Sequence, residues 1–350
     1  MSAQRFLADI HHQPETLERL CREYSQGDLE AALRAAAKRL RPAGPPAVLT
    51  GMGASYFALF AAKPVFDRAG VPVAVEDTGY LIEYGLPLLR EGQPVLVVSQ
   101  SGRSAEATYL ADRLSPANPL IVITNDPTTD LSRRADVVLP LLADPDLSVA
   151  LKTYTATVAL LLMLAAQVCE DGTAGVRRRI LADAPMNRAI ERSSAALAHM
   201  VEFAGQPNYV TALGRGPSIS SALGTGLLLK ETAKVPAEGL NGGQFRHGAV
   251  EVVGKGTLAV LFAPKGRASE LNRQLADELV TCGARVIFVG QGGSPVESER
   301  LLTIPIETPD EYVAPIFEIV PAQMLSQAVA LGRGVEPGSF VNTTPVITTL

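Results

Sequence analysis

The stretch VLVVSQSGRSAEA, residues Val95–Ala107, decides how the rest of the chain is interpreted. Its first four residues are apolar and mostly β-branched, which is typical of a short strand buried on both faces. The run stops abruptly in hydroxyl side chains and a glycine, and we predict that a helix opens at Ser101 or Gly102. The inner face of that helix would consist of Ala105, Ala107, Leu110, Ala111 and Leu114.

This predicted strand-to-helix turn has the chemistry of a phosphate site. It places Ser99, Gln100, Ser101 and Ser104 around a helix N-terminus, where backbone N–H groups and the positive end of the helix dipole favour an anion. An ordinary N-cap turn has the same composition, so the turn by itself does not decide between the two interpretations.

The composition indicates a globular protein, because 350 residues with 47% hydrophobic content can bury a large core. The net charge of −5 and the lack of long runs of like charge argue against a nucleic-acid partner. The longest apolar run, Ala156–Val168, is too short to cross a membrane and predicts a buried helix instead.

The cysteines and the N-terminus favour a cytoplasmic location. Cys21, Cys169 and Cys282 are far apart and odd in number, which is typical of reduced thiols. The first residues lack the basic-then-apolar pattern of a signal peptide. His11 and His12 form the only adjacent histidine pair, and we expect this pair on the surface rather than in a metal site.

Apolar strands alternate with helical stretches along most of the chain. The first half predicts strands at Ala47–Thr50, Val71–Glu76, Val95–Ser99, Leu120–Thr124 and Val137–Leu142. The second half repeats the plan at offsets of about 165 residues, with strands at Tyr209–Leu213, Leu258–Phe262, Val286–Val289 and Leu301–Ile306. This alternation predicts an α/β fold with two duplicated domains, each a doubly wound, mostly parallel five-stranded sheet flanked by helices.

The predicted boundaries are a helical segment at 1–41, a first domain at 42–170, a helical connector at 171–199, a second domain at 200–334 and a tail at 335–350. Ligands of open α/β sheets bind beyond the carboxyl ends of the strands. In the first domain these ends carry Gly51–Ser55, Ser99–Ser101 and Thr124–Asn125. The second domain has Ala263–Pro264 in place of Ser99–Gln100, so we expect a phosphate only in the first domain.

Several motifs lie along nearly the whole chain: Gly51–Tyr56 (GMGASY), Ser99–Ser104 (SQSGRS), Ser148–Thr155 (SVALKTYT), Leu229–Glu231 (LKE) and Arg246–Gly248 (RHG). Together they resemble the sugar isomerase (SIS) domain family. The resemblance is to its two-domain type, found in the isomerase module of glucosamine-6-phosphate synthase and in free-standing deaminase- and deglycase-like relatives.

The resemblance implies a site for a phosphorylated sugar. Its implied phosphate and substrate contacts are Gly53, Ala54, Ser55, Ser99, Gln100, Ser101 and Ser104. Lys152 either approaches the ligand or is a helix-end charge. The resemblance also implies that Glu231 is the general base, moving a proton between C1 and C2 through an enediol(ate). His247 would assist ring opening from the partner subunit of a homodimer.

Without the resemblance, both catalytic candidates have simpler interpretations. Glu231 lies between Lys230 and Lys234 and would be a surface ion-pair residue. His247 lies in a glycine-rich loop and would be solvated.

Three departures from the family pattern bear on the reaction. The residues Glu336–Leu350 contain no lysine, whereas the family's tail lysine opens the sugar ring. His247 is followed by Gly-Ala instead of Gly-Pro, and Arg103 replaces an acidic residue. We also expect no glutamine-dependent synthesis, since the sequence shows no amidotransferase domain.

The sequence therefore favours an enzyme that isomerises an amino-sugar or ketosamine 6-phosphate with loss of ammonia or an amine. No metal or organic cofactor is implied, because proton transfer beside a carbonyl needs none when donors hold the enediolate. The alternative is a phosphosugar-binding or regulatory protein that keeps the phosphate anchor and has lost the chemistry, as the missing tail lysine suggests.

Overall fold

The chain folds into helices and strands that alternate along nearly its whole length. The structure, a computed structural model, describes residues 2–41, 44–146, 148–169, 171–292 and 298–350. The predicted domain limits at Pro42 and Glu170 lie outside the described residues.

The strands are β1 (Ala47–Gly51), β2 (Val73–Asp77), β3 (Val95–Val98), β4 (Leu120–Thr124), β5 (Val137–Pro140), β6 (Tyr209–Gly214), β7 (Ala237–Asn241), β8 (Thr257–Phe262), β9 (Arg285–Val289) and β10 (Leu301–Ile304). The helices before β6 are α1 (Ser2–His11), α2 (Gln13–Glu23), α3 (Gly27–Leu40), α4 (Gly53–Arg68), α5 (Thr78–Tyr80), α6 (Ala105–Arg113), α7 (Asp130–Arg134), α8 (Lys152–Val168), α9 (Ala174–Leu181) and α10 (Pro185–Ala204). The later ones are α11 (Ile219–Ala233), α12 (Gly242–Phe245), α13 (Ser269–Thr281), α14 (Ala314–Glu318) and α15 (Val320–Gly332). A π-helix at Leu81–Gly85 and 3-10 turns at Leu86–Leu88, Gly216–Ser218 and Ala249–Val252 complete the described helices.

Two parallel five-stranded sheets with the same topology confirm the predicted fold class. The first sheet has the order β2-β1-β3-β4-β5, and the second has the matching order β7-β6-β8-β9-β10. Every strand pair within them is parallel. The repeat that the sequence offsets predicted is thus seen in the structure, since both halves of the chain form a sheet with the same strand order.

The sheets belong to two compact units that interleave in sequence. The first-sheet unit consists of Glu15–Pro145, Lys152–Arg178 and Phe340–Leu350. The second-sheet unit consists of Met1–Pro14, Asp146–Leu151 and Arg179–Ser339. Each unit therefore takes pieces from both ends of the chain, and helix α10 runs on past the predicted limit at residue 199 to Ala204. The contiguous domain boundaries stay predictions.

Strand β7 was not predicted from the sequence. Its residues, AEGLN, include few strand-forming side chains, and the strand exists because its backbone pairs in register with β6. Two glycines allow this strand to lie close to α11. A Cβ on Gly239 would be 2.2 Å from the carbonyl oxygen of Ala222, and one on Gly226 would be 2.5 Å from the backbone nitrogen of Gly239.

The apolar run at Ala156–Val168 is confirmed as a buried helix. It forms most of α8, which is buried along its whole length except at Gln167 and packs against α3 and α4. The stretch Ala314–Gly332 is long and apolar enough to cross a membrane by length and composition, but 89% of it is buried inside the fold. Core helices pass the same test, and α15 packs against α10 and α11.

Candidate functional site

The turn after β1 brings the start of helix α4 close to the neighbouring strand β3. A Cβ on Gly51 would be 2.9 Å from the carbonyl oxygen of Val98 and 3.1 Å from the backbone nitrogen of Tyr56. Only glycine fits this approach. Helix α4 begins at Gly53, so the predicted turn is shorter than expected and Ser55 lies in the first turn of the helix.

The loop Ser99–Ser104 follows β3 at the same edge of the sheet. The N–H of Ser99 donates to Ile123 O at 3.0 Å, and the N–H of Asn125 donates to Gln100 O at 2.9 Å. Gly102 has a φ of +65°, and a Cβ there would lie 2.5 Å from the Thr129 Oγ1. The predicted helix start at Ser101 or Gly102 is therefore wrong, because a left-handed residue cannot continue a helix, and α6 begins at Ala105. The predicted inner face is buried at Ala107, Leu110 and Ala111.

Three of the predicted phosphate-binding side chains at this edge have no hydrogen-bond partner within the described protein. In the described part of the chain, the Ser55 and Ser99 hydroxyls and the Gln100 side-chain amide hydrogen-bond no protein group. Ser99 is nonetheless buried, with 4% of its surface exposed. A buried hydroxyl without a hydrogen-bond partner is unfavourable, so the Ser99 hydroxyl is suited to bind an oxygen of a ligand. The Ser55 hydroxyl and the Gln100 amide can donate to the same ligand.

The other loop residues already have partners. Ser104 Oγ donates to Glu106 Oε2 at 2.8 Å and does not cap the helix. Ser101 Oγ accepts from the backbone N–H of Arg103 at 3.2 Å. The Arg103 guanidinium pairs with Asp126 at 2.6 Å. Hydrogen bonds from Thr128 and the Arg103 charge lower the pKa of Asp126, so the loop keeps an internal ion pair.

The C-terminal tail reaches the N-terminus of α6. The N–H of Ala105, which has no partner within the helix, donates to the carbonyl oxygen of Ile347 at 3.0 Å. Both residues belong to the first-sheet unit. The tail therefore occupies one of the backbone donors that the sequence assigned to a phosphate.

The second sheet has a similar turn, but a carboxyl group of the protein lies at the start of its helix. Gly214–Ser218 (GRGPS) repeats the spacing of Gly51–Ser55, and Ser218 is completely buried. At the start of α11, Ser221 Oγ donates to Glu318 Oε1 at 2.7 Å. Glu318 is 1% exposed, and burial raises the pKa of Glu318 to about 7 against the opposing effect of Ser221 and Ser218. The protein's own carboxyl group thus faces this helix N-terminus.

Glu231, the predicted general base, lies in the last turn of α11. Its side chain is half-buried, and its carboxylate accepts no hydrogen bond within the described residues. Burial raises the pKa of Glu231 to about 7, although the charges of Lys234 and Lys230 act in the opposite direction. A carboxyl group of this kind is poised to take and return a proton near neutral pH.

Lys234 holds the end of α11 and a part of the tail. Its Nζ donates to the carbonyl oxygens of Glu231 and Ser339. It therefore donates hydrogen bonds to backbone carbonyl oxygens at the helix end instead of forming an ion pair with the Glu231 carboxylate.

His247 is exposed in the segment after α12. Its backbone N–H donates to Gln244 O at 3.0 Å. The segment follows β7 at the carboxyl edge of the second sheet. Glu231, by contrast, precedes β7 by a short turn, so it lies toward the opposite edge. The 15 residues of α11 span about 22 Å between these edges. One copy of the chain therefore does not bring Glu231 and His247 together.

Lys152 opens α8 in the first-sheet unit and is 3% exposed. The structure thus buries it at a helix start. The sequence did not predict the contact of Glu106 with the loop, the contact of Ile347 with the start of α6, or the position of Glu318. Glu106 was detectable, since it follows Ser104 by two positions, but the long-range contacts leave no local signal.

The fold and the two strand-end turns define a duplicated, parallel α/β protein whose candidate ligand groups lie beyond the carboxyl ends of the strands. The SIS domain family matches residues 40–167 and 206–332. The chain belongs to this family and carries two SIS domains.

Individual relatives agree with this assignment. Glutamine–fructose-6-phosphate aminotransferase (isomerizing) from Bacillus cereus is 28% identical over 337 residues, which cover 93% of this chain and 55% of that relative. This chain thus spans about half the length of the curated relatives it matches.

Two solved structures share the fold. The C-terminal domain of glucosamine-fructose-6-phosphate aminotransferase from Francisella tularensis has a TM-score of 0.81 at 21% identity, covering 94% of this chain and 96% of that one. Glucosamine-6-phosphate deaminase from Thermotoga maritima has a TM-score of 0.78 at 20% identity, covering 98% and 99%. At these identities the likeness concerns the fold.

Proposed function

We propose that this chain is a cytoplasmic, homodimeric enzyme that isomerises an amino-sugar or ketosamine 6-phosphate and releases ammonia or an amine. The observation that carries the proposal is Glu231, a half-buried carboxyl group with a pKa raised to about 7 and no hydrogen-bond donor to hold it ionised among the described residues. Family membership and the uncommitted hydroxyls of Ser55 and Ser99 support a phosphorylated sugar as the ligand.

The proposed reaction conserves atoms and needs no oxidant. In a ketosamine 6-phosphate, Glu231 takes a proton from C1, which carries the amine. The electron pair forms a C1–C2 double bond while the C2 carbonyl π bond breaks, and the C2 oxygen takes a proton from solvent. Glu231 then returns its proton to C2, and the nitrogen forms an imine with C1 and releases its own proton to solvent. Water hydrolyses the imine to the free amine and an aldose 6-phosphate. In a 2-amino aldose phosphate the proton moves from C2 to C1, and hydrolysis gives ammonia and a ketose phosphate.

The other groups have supporting roles in this proposal. The hydroxyls of Ser55 and Ser99 and the Gln100 amide anchor the phosphate, and Gly53 and Ala54 offer backbone donors at the start of α4. His247 of a second copy transfers a proton during ring opening, which agrees with the separation of Glu231 and His247 within one copy.

A phosphosugar-binding protein without catalysis is the second candidate. It is favoured by the absence of lysine from Glu336–Leu350 and by the Ile347 carbonyl on the α6 N-terminus. The first feature leaves these residues without an amine for ring opening, and the second occupies a backbone donor of α6 that an anion could use.

The experiment that separates the two is turnover with a substrate panel. Glucosamine 6-phosphate and the ketosamine 6-phosphates of glycine and glycinamide are incubated with the protein, and amine release and hexose phosphate are followed. The enzyme proposal expects turnover of at least one of them. If none reacts while the sugar phosphates still raise the melting temperature, the protein binds phosphosugars without catalysis.

A further inference from the structure

Lys234 ends the helix that carries Glu231. It is the C-cap residue of α11, and its backbone N–H donates to the carbonyl oxygen of Leu229. Its φ of +54° lies in the left-handed region, where glycine is the favoured residue at a helix end. A lysine at this position therefore indicates that its side chain contributes something that glycine would not.

The Lys234 side chain bridges two backbone carbonyl groups. Its Nζ donates to the carbonyl oxygen of Glu231, one of the acceptors that the last turn of a helix leaves without a helical partner. The same Nζ donates to the carbonyl oxygen of Ser339. One ammonium group thus connects the backbone of Glu231 with the turn Glu336–Ser339.

This turn is fixed within the second-sheet unit. The N–H of Ser339 donates to the carbonyl oxygen of Glu336 at 3.1 Å. Gly338 is buried with a φ of +72°, and a Cβ there would be 2.1 Å from Ser148 Oγ. Ser339 is also the last residue of the unit before Phe340–Leu350, which belong to the first-sheet unit. The ammonium group therefore holds the end of α11 to a well-packed turn of the same unit.

Lys230, the other lysine beside Glu231, supplies charge without this link. Burial raises the pKa of Glu231, and the charges of Lys234 and then of Lys230 lower it. Lys230 is exposed, and its side chain forms no hydrogen bond or ion pair with the residues that the structure describes. Comparing the two lysines therefore separates the effect of the charge from the effect of the backbone contacts.

The elements packed against α11 add little charge around Glu231. Strands β6 and β8 and helix α15 carry no charged residue. Strand β7 carries only Glu238, which is exposed, and α14 carries only Glu318, which lies at the opposite end of α11. Glu336, in the turn that ends at Ser339, is exposed. The two lysines are thus the charges that act on the Glu231 carboxyl group.

We propose that Lys234 is a positioning residue for the reaction, holding the backbone of Glu231 against the turn Glu336–Ser339 so that its carboxyl group meets the substrate carbon in one orientation. This inference rests on the proposed function. A general base acts only within hydrogen-bond reach of the proton that it takes. A displacement of about 1 Å can slow such a step by about a hundredfold.

The test compares Lys234→Met with Lys230→Met, since each removes one positive charge near Glu231. Measured at about pH 9, where the Glu231 carboxyl group is ionised, kcat of Lys234→Met should be about ten- to a hundredfold lower with little change in KM. Lys230→Met should keep the wild-type kcat there. In both variants the acidic limb of the pH profile should move to higher pH, because a charge that lowers the pKa of Glu231 is lost.

Two further variants at Lys234 separate positioning from stability. Lys234→Arg keeps the charge and can donate to both carbonyl oxygens, so it should restore most of the activity. Lys234→Gly suits the left-handed conformation, so its melting temperature should equal or exceed that of wild type while its kcat falls as in Lys234→Met. Wild-type kcat at about pH 9 in Lys234→Met and Lys234→Gly, or an equal loss in Lys230→Met, would overturn the role of Lys234.

Hydrogen exchange tests the link without any turnover. In Lys234→Met the amides of Lys234 and Ser339 should exchange faster together, whereas in Lys230→Met they should exchange as in wild type. If wild type turns over none of the substrates, the proposed function fails, and coupled exchange would still sustain the link between Glu231 and the turn. Unchanged exchange in Lys234→Met would overturn that link, whether or not the wild-type protein is active.

Discussion

The carboxyl edges of the two sheets have the same topology and different chemistry. The first carries hydroxyls and an amide, and the side chains of Ser55, Ser99 and Gln100 hydrogen-bond no protein group among the described residues. The second carries Arg215 and His247, and its helix N-terminus faces the buried Glu318. Duplication has thus preserved the strand order while the side chains diverged, so strand order alone does not determine where a ligand binds.

The largest expected effect is the loss of activity when Glu231 or His247 is replaced, and its recovery when the two variants are combined in one dimer. Because Glu231 and His247 lie toward opposite edges of one sheet, we expect each site to combine Glu231 of one copy with His247 of another. Glu231→Gln and His247→Ala should each be nearly inactive alone. Coexpressed in equal amounts, they should recover about a quarter of wild-type activity, since half of random dimers keep one intact site.

The measurement is specific activity of the unseparated coexpressed mixture, and then of the heterodimer isolated by two affinity tags, which should have about half of wild-type activity because one of its two sites is intact. Light scattering provides the oligomeric state of each preparation. No recovery in a verified heterodimer would mean that both residues act within one copy.

The next largest effect is expected from removing the phosphate-binding hydroxyls at the carboxyl edge of the first sheet. Ser55→Ala combined with Ser99→Ala should weaken binding of a hexose 6-phosphate by about ten- to a hundredfold, because charge-assisted hydrogen bonds are lost. The matched change in the second sheet, Ser218→Ala, should leave the affinity unchanged. Calorimetry below the melting temperature checks both, and an equal loss in Ser218→Ala would remove the proposed difference between the edges.

The smallest expected effect is on stability and concerns Glu318. Its pKa is about 7 in the folded chain and near its ordinary value of 4.5 when unfolded, so the folded state binds more protons between these values. Stability should therefore fall as pH rises from 4.5 to 7. Glu318→Gln removes this titration and should gain up to about 3 kcal/mol on wild type between pH 5 and pH 8.

Urea unfolding at pH 5 and pH 8 measures the difference. Glu202→Gln, an exposed change in the same unit, serves as the control and should follow wild type at both values. If Glu318→Gln loses as much stability as wild type over this range, the carboxyl group is not buried in its protonated form.

Much of the fold was predictable because it rests on local patterns. The β-branched run Val95–Val98 forms a buried strand, and its counterparts in the second half follow at similar spacing. Strand ends were less predictable, as Leu142 shows, since its φ of +56° places it outside β5. Strand β7 depends on pairing and on close glycine contacts with α11, and its own residues give little indication of it.

The candidate site was predictable only in its residue types. The family resemblance predicted roles for Glu231, His247 and the hydroxyl loop, but it did not show that Ser104 bonds Glu106 or that Ile347 bonds Ala105. The sequence also does not show that Arg246 pairs with Glu278. Such contacts depend on tertiary packing, which the sequence pattern does not encode.

In the proposed reaction, Glu231 moves a proton between neighbouring carbons of a phosphorylated sugar. The most direct measurement uses a ketosamine 6-phosphate deuterated at C1 and follows the label by NMR. Wild type should remove deuterium from C1, to C2 or to water, whereas Glu231→Gln should do so at least about a hundredfold more slowly while still binding the compound. Removal of the label by Glu231→Gln at the wild-type rate would show that Glu231 is not the base.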